Sequence, residues 1–297
     1  MDITLALGGG GAKGNAHIGV LRQLEKKDFH VKAIAGTSYG GLVAAFYALG
    51  YSPDEIEELF ASVDQTRFFG HAPEDGPSLV GVAGVTRLLE EKIGDLTFAD
   101  LKLPCVLTAV DLKSGNEVHL SRGRLVDAIL ATIAIPGIFP ARYIDDLELV
   151  DGGVLDPVPV APARVLAPRL PVVAVVLTMP MGAPTQAWNI PFDRYWAGMI
   201  LSRVLSKMHY DTVWDVFSRS LDITSRAMTQ YRLEVDRPDV IIRPQVYDID
   251  MLDVVDVREV AKKGEAAVDA ALPQLRGLFT WRNRWRRTVG VYNHRSV

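Results

Sequence analysis

The chain has 297 residues, enough for one large domain or two small ones. With 48% hydrophobic and 23% charged residues it has material for a substantial core and is not a disordered polymer. A net charge of -4 gives no footprint for nucleic acid or for an acidic polymer as partner.

Apolar strand-like runs alternate with segments of helical period, the pattern of a mainly parallel sheet covered by helices. ITLALG reads as a buried first strand, followed by the glycine turn GGGGAKG and a helix over 16–27 with apolar Ile18, Val20, Leu21 and Leu24. VKAIAG is a second strand that ends in GTSYGG and runs into the helix LVAAFYALG, closed by Gly50 as a C-cap. Ser52 and Pro53 start a third helix. The turn-rich stretch FFGHAPEDGPSLVG and a helix over 85–93 follow, a region that can form a flap over a site. PCVLTAVDL and EVHLS make a hairpin, then come the helix LVDAILATI, the segment IPGIFPARYI, and LELVDGGVLDPVPV leading to the strand VVAVVLT.

The loop over 180–191 breaks this rhythm, and a long helical stretch follows over 192–234. Its stripe of Trp196, Met199, Leu201, Leu205, Trp214 and Phe217 reads as core packing in preference to a lipid groove. DVIIRP is the last strand and 256–278 the last helix. With no repeat and no linker, the expectation is one domain over 1–297, with 276–297 as an appendage. That tail has six arginines, no acid, and Trp281 and Trp285. It suits a lipid headgroup interface or, equally, a segment docked by its tryptophans.

One cysteine, Cys105, excludes an internal disulfide and any multi-cysteine metal site, and its apolar run marks it as a core thiol. The N-terminus lacks a basic n-region, and no run of eighteen apolar residues occurs. The expected location is cytoplasmic with peripheral membrane contact; export without a cleaved signal stays open. Oligomeric state is not legible.

Gly9, Gly11 and Gly14 spell G-x-G-x-x-G, which alone admits a nucleotide-binding module. A dinucleotide fold wants a carboxylate roughly 20 residues on, at the end of the second strand. Here that position holds Gly36, Thr37 and Ser38. Lys13 lacks the GK-[ST] context of a Walker loop. Instead Gly36, Ser38 and Gly40 fit G-x-S-x-G between a strand and a helix, a turn whose small flanks let a serine take a strained backbone and face a helix N-terminus. Gly9, Gly10 and Gly11 then supply amides for an oxyanion hole.

Of the histidines, only His209 and His294 come late enough to complete a triad, and neither lies in a loop after a strand. The better base is Asp151, read as an acid exposed at the tip of a strand and followed by two glycines; an Asp-Gly turn is the alternative.

Gly9 to Gly14, Gly36 to Gly40 and Asp151 to Gly153, in that order, together with GNAHIGVLRQLE, AVDLKSGNEVHLSRG and ATIAIPGIFPA, resemble the bacterial patatin-like phospholipases. The resemblance covers most of residues 1–160 and weakens after Leu233. Thr132 stands where related chains often carry Ser. The likeness implies a three-layer α/β/α sandwich and a Ser38/Asp151 dyad cleaving lipid esters through an acyl-enzyme, with no metal or cofactor. Asp151 takes the proton and later activates water, amides near Gly10 and Gly11 hold the oxyanion, and Lys13 steadies the loop or meets a phosphate headgroup. The site is expected between the glycine loop, 135–140 and 180–191. A non-catalytic lipid-binding protein on the same scaffold remains the other alternative.

Overall fold

A computed structural model describes residues 1–65, 70, 78–185, 187, 188 and 210–280. The strands are β1 (Asp2–Leu7), β2 (His30–Thr37), β3 (Cys105–Asp111), β4 (Glu117–Leu120), β5 (Arg142–Ile144), β6 (Leu147–Asp151), β7 (Val172–Val175) and β8 (Val240–Ile242). The helices are α1 (Ala16–Lys26), α2 (Tyr39–Leu49), α3 (Pro53–Ser62), α4 (Ala83–Lys92), α5 (Leu125–Thr132), α6 (Val160–Leu166), α7 (Tyr210–Asp236) and α8 (Val257–Gly277).

The strands form one sheet in the order β5-β6-β3-β2-β1-β7-β8, with β4 hairpinned onto β3. The pairs β3/β2, β2/β1, β1/β7 and β7/β8 are parallel, while β6 and β5 add an antiparallel flank. Parallel strands need crossovers, which the intervening helices supply. Side-chain alternation then assigns the layers. Ile3, Leu5 and Leu7 of β1, Ile34 of β2 and Val173 and Val175 of β7 face a large core shared with α1, α2, α5 and α8. Ala6, Ala35, Val172 and Ala174 face the other way, onto α6 and Leu233 of α7. The result is the expected three-layer α/β/α sandwich.

Local signals work as expected at α3, where Ser52 and Glu55 close a capping box with Pro53 at the first helical position. Gly50 caps α2 in the left-handed region (φ 97°). Cys105 is buried, and burial pushes its thiol up to about 12, which keeps it an unreactive core group.

Helices α1 and α8 cross closely. A side chain on Gly19 would collide with the backbone of Ala261, and one on Gly264 with that of Ala16. Two short elements escape a reading by pattern. β5 lies within the Pro/Gly-rich segment, and α6 begins among prolines, with Pro162 in its first turn where no intrahelical amide is required.

The expected helix over 192–234 is described only from Tyr210. Trp196, Met199, Leu201 and Leu205, most of the 68–81 stretch, part of the 180–191 loop and the tail beyond 280 lie outside the described residues. Trp214 is bonded to the Trp188 carbonyl (2.8 Å) and packs on Phe217, which is 41% exposed and so is only partly a core residue. No helix among the described residues is long and apolar enough to cross a membrane.

Candidate active site

Because β1 and β2 are parallel neighbours, their C-terminal loops emerge at the same end of the sheet, where ligands bind in open α/β folds. The glycine loop leaves β1 there and the serine turn leaves β2. Register brings in the third motif. Thr37 pairs with Thr108, so Ser38 stands level with Ala109, and Ala109 pairs across to Asp151 at the end of β6. Ser38 and Asp151 therefore flank the small Ala109, two strand spacings or roughly 10 Å apart at the backbone. Both side chains border one cavity over β3: the neighbouring Ser38 hydroxyl draws the Asp151 carboxyl down, and the carboxylate accepts the Gly153 amide at 2.7 Å.

Ser38 has φ 55° and ψ -130°, a strained conformation for a residue with a side chain. The turn is possible because its flanks are bare. A Cβ on Gly36 would lie 2.5 Å from the Gly40 carbonyl oxygen, and one on Gly40 would strike the Leu7 and Gly8 carbonyls. Three contacts hold the strain in place. The Ser38 amide donates to Thr132 Oγ1 (2.9 Å), and the Ser38 carbonyl accepts the Gly41 and Leu42 amides of α2. Next to it, the Tyr39 hydroxyl donates to Asn15 Oδ1 (2.6 Å), whose amide group in turn holds the Ala12 carbonyl (3.0 Å). The serine turn and the glycine loop are thus braced against each other.

Asp151 does not stand exposed at a strand tip as its sequence context suggests. It is 5% exposed, under the segment whose Ala134 carbonyl accepts its amide (2.9 Å). Burial raises its carboxyl from the ordinary 3.8 to about 6, against the pull of the neighbouring Ser38 hydroxyl and the Gly153 hydrogen bond.

The glycine loop supplies fewer amides for an oxyanion than its sequence suggests. Gly9 donates its amide to the Pro157 carbonyl (3.0 Å), so that N–H is committed and cannot serve an oxyanion. The amides of Gly8 and Ala12 are likewise taken, by Val175 and Met251. Gly10 and Gly11 both border the cavity at Ser38, and their amides have no partner carbonyl among the described residues. Two amides suit one oxygen atom better than a cradle for phosphates.

The late histidines His209 and His294 lie outside the described residues. His17 donates its Nε2–H to the Gly8 carbonyl (2.7 Å) and is wholly buried, which lowers its pKa to about 4; it supports the glycine loop. Lys13 borders the same cavity as Asp151, among Asp222, Asp250, Asp253 and Arg226. Burial lowers its pKa and the acids only partly restore it.

Two cavities meet at Ser38, sharing Gly11, Ile135 and Met251 as a common wall. The one expected between the glycine loop and 135–140 carries Lys13, Asp151, Trp188, Asp222, Thr224 and Asp250. The other was not foreseen. It runs beneath α3 and α4 and is walled by Leu42, Phe60, Val85, Leu89 and Phe139. Thr132, Asn15 and His17 also escaped the sequence reading as positioning groups: Thr132 reaches a turn far away in the chain, and the spacing of Asn15 and His17 within a glycine-rich turn and helix start does not announce their bonds.

The same arrangement of motifs has relatives. A family model described as patatin-like phospholipase matches residues 5–164. The chain is 37% identical over 163 residues to an uncharacterized NTE family protein of Mycobacterium tuberculosis strain H37Rv, covering 54% of this chain and 45% of that one. A second such protein of that strain is 26% identical over 279 residues, covering 91% and 46%. The lysophospholipase NTE1 of Mycosarcoma maydis is 31% identical over 171 residues, 54% of this chain and 9% of the relative. The chain thus spans less than half the length of these relatives. Among solved structures, VipD from Legionella pneumophila superposes with a TM-score of 0.54 at 12% identity, covering 93% of this chain and 67% of that one, a likeness of fold. With a model matching more than half the chain and all three of its motifs at one end of the sheet, the chain belongs to the patatin-like phospholipase family.

Proposed function

We propose that the protein is a serine acyl hydrolase that cleaves fatty-acyl esters of lipids with Ser38 as nucleophile and Asp151 as its base. The observation that carries this reading is one cavity lined by Ser38, the buried Asp151 and Gly10 and Gly11, whose amides have no partner carbonyl among the described residues. As Ser38 Oγ bonds to the ester carbonyl carbon, its proton passes to Asp151, and the oxygen that becomes negative faces the two amides, worth on the order of 3 kcal/mol per donor. The tetrahedral intermediate collapses by breaking the carbon–oxygen bond to the alcohol, which takes the proton from Asp151. Water then attacks the acyl-enzyme, giving a proton to Asp151 that returns to Ser38 as the fatty acid departs.

An ordinary aspartate is a weak base for a serine hydroxyl. Burial brings Asp151 to about 6, nearer the strength that general-base work at neutral pH wants. The family and the lysophospholipase among the relatives support a lipid ester as substrate. Such a substrate resides in bilayers or micelles, so peripheral contact with a lipid surface belongs to the same reading.

The test is hydrolysis of p-nitrophenyl butyrate and of a lysophospholipid, with released fatty acid read by mass spectrometry. Ser38→Ala is expected to lose on the order of 10³-fold or more in kcat with its melting temperature kept. Full activity in that variant would sink the reading.

A further inference from the structure

An ester lying across Ser38 has two arms, and the two cavities offer them different chemistry. The alcohol oxygen must take its proton from Asp151 as its bond to the carbonyl carbon breaks, so it has to leave on the side where Asp151 is exposed to the cavity. Asp151 borders the cavity of Lys13 and Asp222 and does not border the one beneath α3 and α4. That second cavity also has little to offer a polar group. Asn15 is held by Ala12 and Tyr39, and Gln65 exchanges both of its side-chain hydrogen bonds with the Val255 backbone (2.8 and 3.1 Å). Asp253 is solvent-exposed and its carboxylate accepts the Asp250 amide (2.7 Å), and the rest of the lining is mainly aliphatic and aromatic surface from α2, α3, α4, Phe139 and the 251–257 segment.

From this we infer that the ester binds in one direction only, with its acyl chain under α3 and α4 and its alcohol in the polar cavity, so that Val85 and Leu88 of α4 set the longest chain accepted. The inference rests on the hydrolase reading and adds polarity and a chain-length gauge to it. Each methylene buried in the apolar cavity is worth about a fourfold gain in binding. The rate constant kcat/KM should therefore climb with acyl length until the space is filled.

The experiment measures kcat/KM for p-nitrophenyl esters from butyrate to palmitate in three proteins: wild type, Val85→Trp and Leu221→Trp. Val85 is half-buried and borders only the apolar cavity; Leu221 is half-buried and borders only the polar one. Val85→Trp is expected to lower the dodecanoate-to-butyrate ratio by about tenfold or more, the worth of two lost methylenes. Leu221→Trp should lower all chain lengths alike. A melting curve checks each variant, and Leu88→Phe replaces Val85→Trp if that protein does not fold. If Leu221→Trp shortens the preference, or if no variant changes the ratio, the inference is overturned while the hydrolase reading stands. Absence of Ser38-dependent hydrolysis in the wild type removes both.

Discussion

Ser38 and Asp151 line one cavity, and Asp151, 5% exposed, is raised by burial to about 6 against the pull of the neighbouring serine hydroxyl. The proposed role as base needs it ionised, so kcat/KM is expected to fall about tenfold per pH unit below 6 and to level off above.

Folding responds with the opposite sign, because the native protein binds this proton more tightly than the unfolded chain does. The group's contribution to stability is complete below its unfolded value of 3.8 and is lost as pH rises through about 6. Asp151→Asn is therefore expected to be inactive yet more stable at pH 8, by up to about 3 kcal/mol, with the gain vanishing near pH 4. Denaturant melts at the two pH values check this; an equal shift at both would contradict it.

Thr132 holds the strained serine turn through Oγ1, the acceptor of the Ser38 amide. Thr132→Val keeps the shape and removes the acceptor, leaving a buried amide unpaired at a cost of about 1–3 kcal/mol. We expect kcat to drop about tenfold with KM nearly unchanged, as the nucleophile drifts from its attack position. Thr132→Ser should restore the rate, since it keeps the hydroxyl. A variant pair with equal rates would show that the bond is dispensable.

At the α1/α8 crossing, a methyl group on Gly19 meets the backbone of Ala261, which no rotamer change can move. Gly19→Ala is expected to cost about 3 kcal/mol, the upper end for overpacking, because two helices must part. Thermal unfolding reads the loss. Substitution at Gly277, which has open space around it, is the control.

The first four elements were legible because β1 and the second half of β2 are buried on both faces and so read as mainly apolar runs, while α1 and α2 are set off between turn signals. The serine turn was legible from its G-x-S-x-G spacing: Gly36 is required by the nearby backbone of Gly40 and Gly41, and Gly40 by the carbonyls of Leu7 and Gly8 on β1 and its loop. What failed was long-range. Whether Asp151 is buried depends on β3 and on the segment through Ala134, and whether the Gly9 amide is free depends on Pro157; neither partner lies near in sequence. The apolar cavity depends on α3 and α4, whose side chains there are ordinary core residues until the fold leaves a space between them.

The register that sets Ser38, Ala109 and Asp151 in one row has a consequence for any fragment of the chain. Ser38 and Asp151 hang from strands on opposite sides of β3, and the loop beside them is pinned by Pro157, which follows Asp151 in the chain. No piece ending before residue 151 can hold a partial version of the constellation. Attachment of a fluorophosphonate at Ser38 should thus report that the central strands have assembled together, making reactivity at one oxygen a gauge of cooperative folding.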